Sequence, residues 1–295
     1  MDKLDQHIIE KSTTGWMEAN AGQVQYKGGD EVKIPTISTA GLATYDRVNG
    51  YTDGAVTFEY NTYKMTQDRG RSFSIDAMDS DQTGFVVNAA AVAKVFQENH
   101  VIPELDSYRY AKIAKYAGEA GVTEDLTPTA SNIIKKLKEH IYAIKEKVGD
   151  EQLIITMPYT VQAILESSTE WTKIRNVGEM TQGGITFKVS MLDGHIIKGV
   201  PSARMNSEIE ILDGKDKGQG GFKVGIDAKR INWIITPRRL PLAISKTDTP
   251  RIFDPMTNQS ANAWKLDYRK FHDLWILKQQ QDNMFVALEK GTVGE

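Results

Sequence analysis

Cysteine is entirely missing from this chain of 295 residues. Its absence excludes disulfide bonds, thiolate metal sites and a cysteine nucleophile. The chain also lacks any run of the roughly 20 apolar residues that a membrane-spanning helix needs. Acidic residues at Asp2 and Asp5 stand where a signal peptide carries a basic start. We therefore expect no membrane partner, and a protein that stays in the cytoplasm after synthesis.

An excess of positive charge is missing as well. The chain carries 36 Lys and Arg against 39 Asp and Glu, for a net charge of -3. Proteins that bind nucleic acid usually show a basic excess, so this balance argues against a general nucleic-acid binder. The content of 40% hydrophobic and 25% charged residues is typical of a folded protein.

Sequence signatures of catalysis and of metal binding are also lacking. The five histidines are far apart, none stands in a His-Glu-x-x-His pattern, and nucleophile-elbow, dinucleotide and kinase motifs are missing. An acidic run at 76–84 fails as a calcium loop, because Ala90 stands where the bidentate Glu is required. His272 and Asp273 are neighbours in a predicted strand, so their side chains point to opposite faces. We predict no enzyme, no cofactor and no metal site.

The most informative stretch is a predicted long β-hairpin. Its outbound limb, 31–39, and its return limb, 56–65, both alternate in the period of two that is typical of half-exposed strands. Asn49-Gly50 and Asp53-Gly54 between them suit turns. Pro35 cannot donate to a ladder, which favours an edge strand or a projecting two-stranded ribbon. A hairpin with so little to bury is marginal alone, so we expect it to lie on a neighbouring chain.

A long helix is predicted after the hairpin, beginning near Thr83. Its apolar residues recur at helical spacing along one stripe. These residues are Phe85, Ala89, Val92, Ala93 and Phe96. Pro103 should end or interrupt this helix, and a second helical piece follows at 106–117.

The middle of the chain predicts an α/β subdomain. A helix over 127–149, with Thr127 as N-cap, is followed by a short buried strand at 153–157 and by a helix that Pro158 opens. Strands are predicted at 185–191 and 195–200.

The two ends of the chain give weaker patterns. Residues 1–22 are interpreted as an arm that is mobile or ordered by a partner, with an ordinary first helix as the alternative. The segments 264–277 and 284–288 predict a long β-hairpin that completes a sheet beside the long helix.

Several short runs resemble the major capsid proteins of tailed bacteriophages, mainly over residues 30–115. They are Ile34-Pro35 with Ser38-Thr39 and Gly41-Leu42, Tyr45-Asp46-Arg47 with Gly50-Tyr51, Asp68-Arg69-Gly70-Arg71-Ser72-Phe73 with Asp76-Ala77-Met78-Asp79, 102–110, Pro250-Arg251-Ile252-Phe253 with Pro255, and 268–277. The resemblance implies an α+β fold of the Hong Kong 97 type. Its parts would be an N-terminal arm at 1–25, an extended hairpin loop at 26–77, a peripheral domain with a long spine helix and a β-sheet at 78–124, an α/β axial domain at 125–240, and a return to the peripheral domain at 241–295.

The resemblance implies a structural protein that assembles into hexamers and pentamers and forms the icosahedral phage head around double-stranded DNA. Its expected partners are other copies of itself, a separate scaffolding protein, a portal protein, a possible decoration protein and packaged DNA through non-specific contacts. Its expected location is the virion, after assembly in the host cytoplasm. Two alternatives remain open: the shell of an encapsulin-like compartment, or a soluble enzyme or carbohydrate-binding module.

The expected contacts between subunits lie on and beside the hairpin. The predicted contact residues are Lys33, Tyr45, Asp46, Arg47, Tyr51, Phe58 and Tyr60, together with Arg69 and Arg71, which are expected to pair with acids at the hairpin base. Some capsids of this family form Lys–Asn isopeptide bonds between subunits, but no motif here selects such a pair.

Overall fold

The computed structural model describes residues 8, 11–23, 25–26, 31–78, 85–182, 184–215, 219–247 and 251–291. Its strands, in chain order, are β1 Gln25–Tyr26, β2 Glu31–Thr39, β3 Val56–Lys64, β4 Gln67–Asp76, β5 Thr123–Asp125, β6 Leu153–Pro158, β7 Asn176–Gln182, β8 Ile185–Leu192, β9 His195–Val200, β10 Ile209–Ile211, β11 Phe222–Val224, β12 Ile231–Pro237, β13 Leu242–Thr247, β14 Arg251–Phe253, β15 Ala263–Trp275 and β16 Phe285–Leu288. Its α-helices are α1 Phe85–Phe96, α2 Ile102–Glu119, α3 Ile133–Val148, α4 Tyr159–Ser167 and α5 Trp171–Ile174. This mixture of helices and largely antiparallel sheets confirms the α+β class.

The predicted hairpin is present as β2 and β3. The two strands pair antiparallel over nine positions, from Glu31 opposite Lys64 to Thr39 opposite Val56. The short strand β1 adds to the other edge of β2, but only opposite Val32 and Lys33. Beyond those residues the ribbon has two strands, which leaves room for Pro35 on a free edge.

One helical rod runs over 85–119. Helices α1 and α2 are joined by a π-helical turn, Gln97–Val101, without leaving helical geometry. Pro103 therefore interrupts the helix without ending it. A residue before proline is biased toward extended geometry, but Ile102 is helical (φ -65, ψ -47). Proline has no N–H for the helical ladder, and the π turn directly before it absorbs the mismatch. The predicted start near Thr83 lies outside the described residues.

A four-stranded sheet lies beside this rod. Strand β15 is its centre: β4 pairs with one edge over ten positions, and β13 and β14 pair with the other. The hairpin leads directly into this sheet, because only two residues separate β3 from β4.

The larger sheet has seven strands in the order β5-β16-β12-β6-β9-β8-β7. Its central strand β6 is buried along its whole length, with α3, α4 and α5 packed on one face and α2 on the other. Helix α3 begins at Ile133, six residues after the predicted Thr127 cap. The Asn132 side chain accepts from the Thr129 N–H at 2.8 Å and donates to the Thr127 carbonyl at 3.1 Å, and this local turn delays the helix.

The predicted C-terminal hairpin is wrong. Strand β15 belongs to the four-stranded sheet, whereas β16 crosses to the seven-stranded sheet and lies between β5 and β12. A 3-10 helix, Lys278–Asn283, carries the chain across instead of forming a tight turn. The apolar run of β16 suits a strand covered on both faces, which the alternating β15 does not resemble.

The described part of the N-terminal segment is not a free arm. Trp16 and Met17 are buried in the main core beside Tyr110 and Ile113 of α2. The interpretation of 1–22 as mobile or partner-ordered is therefore wrong for these residues, because isolated apolar residues here meet a complementary surface of the same chain. The domain limits given above remain predictions.

Candidate functional site

The outer half of the hairpin exposes apolar side chains that no other described residue covers. Of the 18 large hydrophobic residues that are exposed in the described part of the chain, eight lie within 37–60. They are Ile37, Leu42, Tyr45, Val48, Tyr51, Val56, Phe58 and Tyr60. Contiguous apolar surface on this scale marks a site of interaction.

The strand register sorts these residues onto one face. Pro35 lies opposite Tyr60 and Ile37 opposite Phe58, so all four side chains point to the same side of the ribbon. Phe58 and Tyr60 also contact each other edge to face, with ring centroids 5.1 Å apart. The other face of the outer half carries polar residues such as Glu59. The ribbon is therefore amphipathic, with its apolar face open to solvent.

The base of the hairpin is covered, and on the opposite face. Val32 and Ile34 are buried against Leu242 and Ile244 of β13 and Trp275 of β15. Because successive side chains alternate, the face that is buried at the base is the polar face further out. The chain thus fixes the root of the ribbon and directs its apolar outer face away from its own body.

The turn of the hairpin is ordered by its own contacts. The Asp46 carboxylate accepts from the Val48 N–H at 2.8 Å and from the Asn49 side chain at 2.6 Å. These hydrogen bonds hold the pKa of Asp46 below its ordinary value, and the bond from the Val48 N–H has the largest effect. Tyr45 and Tyr51 meet edge to face with ring centroids 5.0 Å apart. The turn presents this tyrosine pair to solvent.

A buried carboxylate fastens the hairpin base to the rod. Asp273 of β15 accepts from the Thr66 N–H and hydroxyl, both at 2.9 Å, and from the Tyr108 hydroxyl at 2.9 Å. It also forms an ion pair with Lys112. Burial is the main cause that raises the pKa of Tyr108, and the negative charge of Asp273 raises it further. The Tyr108 hydroxyl therefore keeps the proton that it donates. Asp273 therefore has a structural role, and His272 is not its hydrogen-bond partner.

A second buried carboxylate on α2 fastens the N-terminal segment. Asp106 accepts from the hydroxyls of Ser12, Thr13 and Thr14 at 2.5 to 2.7 Å and pairs with Arg204 at 2.8 Å. Burial alone would raise the pKa of Asp106, but these hydrogen bonds outweigh it and hold the pKa below the ordinary value. Sequence reasoning missed this site, since a Ser-Thr-Thr run has no partner visible in the sequence.

The nine predicted contact residues fall into three places. Lys33 lies exposed near the hairpin base, and Phe58 and Tyr60 lie on the apolar face. The remaining hairpin residues, Tyr45, Asp46, Arg47 and Tyr51, form the turn. The two arginines of β4 lie beyond the hairpin.

Those two arginines lie on β4 beside the helical rod. Arg69 pairs with Glu104 of α2 through its Nε at 2.6 Å and also reaches the Gly221 carbonyl. Arg71 lies against Gly214 and Gly220. The structure thus gives Arg69 an acidic partner within its own chain. Contact of any of the nine residues with another subunit remains a prediction.

No helix in the described ranges has both the length and the apolar character to cross a membrane. Among the same residues no group of three His, Asp or Glu side chains is arranged to hold a metal ion.

No protein-family model matches this chain, and no curated protein sequence does. Solved structures do match. A chain in the mature capsid of bacteriophage PhiM1 aligns with a TM-score of 0.56 at 13% identity, over 90% of this chain and 83% of that one. The chain has a phage capsid fold. A structure of Mycobacterium phage Bobi aligns with a TM-score of 0.55 at 10% identity (94% and 91% covered), and the capsid of cyanophage P-SCSP1u with 0.53 at 10% (91% and 86%).

These alignments cover about nine-tenths of the chain, so the likeness to capsid structures includes both main sheets. The fold predicted from the sequence resemblance is confirmed. At identities this low the likeness establishes the fold, and the function has to be argued from the surface just described.

Proposed function

We propose that this protein is the major capsid protein of a tailed phage, a structural protein whose copies close into hexamers and pentamers. These rings form the icosahedral head that encloses double-stranded DNA. The protein acts through assembly and not through catalysis, and its place is the virion, after assembly in the host cytoplasm.

One observation carries this proposal: the amphipathic outer hairpin, which exposes its apolar face on a capsid fold. Burying apolar surface stabilises an association by about 25 cal/mol per Å² before the costs of binding are subtracted. A chain that directs such a face away from its own body needs another molecule to cover it. In a shell of identical copies, that molecule is the neighbouring subunit.

The hairpin makes a heterologous contact, since the outer half of one copy meets a different surface of the next. Heterologous contacts of this kind close into rings when the rotation closes. The nine predicted residues on and beside the hairpin supply these contacts. A scaffolding protein, a portal protein, a possible decoration protein and non-specific contacts with packaged DNA complete the expected set of partners.

Electron microscopy and analytical ultracentrifugation of the purified protein, across a range of salt and crowding conditions, test the proposal. Closed shells of uniform size are expected. Monomers or small oligomers under every condition would contradict it. Shells filled with a protein cargo instead of DNA would point to a compartment and overturn the phage assignment.

A further inference from the structure

A cavity of about 280 Å³ opens beside the base of the hairpin. It lies between β4, the π-helical turn of the rod, β15 and the glycine-rich loop after β10. The lining residues used below are Arg69, Arg71, Phe73, Phe96, Tyr268 and His272.

The walls of the cavity combine aromatic rings with guanidinium groups. Phe96 meets Phe73 and Tyr268 edge to face, with ring centroids 4.9 and 5.5 Å apart. The Arg71 guanidinium lies so close to Gly214 that a Cβ there would stand 2.9 Å from its Nη1. Gly214 has φ +70, a conformation that favours glycine, so the loop is built to leave Arg71 this position. Arginine beside aromatic rings is a setting that binds a further aromatic ring.

One residue that lines the cavity, His272, is itself deeply buried. His272 is 3% exposed, and its Nδ1 has no hydrogen-bond partner among the described residues. The aromatic and cationic walls suit a further aromatic ring, and the cavity is large enough to admit one.

The hairpin turn carries a side chain of this kind. Tyr51 is 90% exposed and stands next to Tyr45. The turn segment 44–53 holds two acids and one arginine, whereas the cavity wall holds Arg69, Arg71 and Lys270 against two acids. The two surfaces therefore carry opposite net charge.

The turn of a chain stays outside the cavity of the same chain. The ladder between β2 and β3 places the turn roughly 27 Å beyond the hairpin base, given a strand rise near 3.4 Å per residue. The cavity begins at Arg69, five residues after Lys64 ends that ladder, which is at most about 18 Å away. Tyr51, at 90% exposure, accordingly does not occupy the cavity of its own chain.

We propose that the cavity receives Tyr51 from the hairpin turn of a second copy of this chain. This inference rests on the proposed function and assigns the surface on which the hairpin ends. Tyr51 enters between the aromatic wall and Arg71, and Tyr45 covers the rim. Aromatic side chains that fill a pocket at the centre of an interface carry most of its affinity.

Cysteine cross-linking tests this placement, because the natural chain has no cysteine to interfere. A Tyr51→Cys, Arg71→Cys double variant is assembled at a protein concentration well above the raised threshold that loss of Tyr51 is expected to cause, and is then treated with a short bismaleimide. A ladder of cross-linked oligomers is expected on denaturing gels. The matched control pairs Tyr51→Cys with Tyr142→Cys, an equally conservative change at a tyrosine that is 59% exposed on α3, and should give no ladder.

Both cysteines are first shown to react with a monofunctional maleimide in dissociated subunits. Shells that form normally and give no 51-to-71 ladder would overturn the cavity assignment while leaving the shell proposal intact. Wild-type protein that forms no shells would overturn the proposed function itself. As a second measurement, Tyr51→Ala should raise the protein concentration needed for assembly roughly 30-fold, as expected for a central anchor, and Tyr142→Ala should leave it unchanged.

Discussion

In both halves of the hairpin the side chains alternate between two faces, but the inner half is partly buried on the four-stranded sheet and the outer half is exposed. Ile34 and Ile37 stand three residues apart on the same strand and on opposite faces, and they are 3% and 63% exposed. The inner half packs on the four-stranded sheet, whereas no other part of the described ranges packs on the apolar face of the outer half. The difference separates two tasks: residues near the base stabilise the subunit, whereas residues further out are kept for association.

The base is held by polar contacts as well as by apolar packing. Asp273 and Asp106 are both fully buried, and helix α2 contributes residues to both sites. One site fixes Thr66, where the hairpin joins β4, and the other fixes the N-terminal segment. Buried carboxylates are costly unless every oxygen is paired, so both sites should be sensitive to small changes.

The largest effect is expected at Asp106. Asp106→Asn removes the charge partner of Arg204 and one acceptor of several hydrogen bonds, and it should lower the free energy of unfolding by about 4 kcal/mol. Urea denaturation followed by tryptophan fluorescence measures this loss. Because the folded pKa of Asp106 is depressed, its contribution is present above the unfolded value near 3.9 and is lost as pH falls through the folded pKa.

The stabilities of wild type and Asp106→Asn should therefore converge below about pH 4. Asp46→Asn is the control, since Asp46 also has a lowered pKa but is fully exposed in the hairpin turn. A difference between wild type and Asp106→Asn that stays constant from pH 7 to pH 3 would refute the role assigned to this carboxylate.

A smaller loss is expected where the hairpin joins the body. Asp273→Asn leaves Lys112 without its counter-charge and should cost about 3 kcal/mol of unfolding free energy, measured by urea denaturation. Asp68→Asn provides the comparison, because Asp68 pairs with Arg269 at an exposed position and should cost less than about 1 kcal/mol. Equal losses in the two variants would show that Asp273 does not anchor the hairpin.

The isoleucine pair tests the contrast directly. Ile34→Ala should lower the free energy of unfolding by about 2 kcal/mol, since it empties part of a small buried cluster at the edge of the molecule. Ile37→Ala should change it by less than about 0.5 kcal/mol. If thermal or urea unfolding gave the same loss for both, the outer half would be packed on the subunit after all.

The sequence predicted the hairpin well because its signals are local. Alternation, Pro35 and the glycine turns specify the ribbon without reference to distant residues. The destination of β16 was mispredicted, since four apolar residues after a polar bend fit either sheet, and only the pairing with β5 and β12 decides between them.

The buried polar sites could not be predicted for a related reason. Asp106 meets Ser12 and Arg204, which lie 94 and 98 residues away along the chain. No local pattern marks such a set. The shared exposed face of Phe58 and Tyr60 followed from alternation, whereas the partner of Arg69 became visible only when α2 packed beside β4.

The smallest effect on the isolated subunit, and the clearest effect on association, is expected at Phe58. Phe58→Thr keeps a residue suited to strands and removes an exposed ring, so the free energy of unfolding should shift by less than about 0.5 kcal/mol. Shell formation, measured by ultracentrifugation, should nevertheless require a higher protein concentration. Thr57→Ser, at the adjacent position on the polar face, should alter neither quantity. Assembly that tolerates Phe58→Thr as well as it tolerates Thr57→Ser would mean that the apolar face of the ribbon stays uncovered in the shell, and the two halves of the hairpin would then differ in exposure without differing in task.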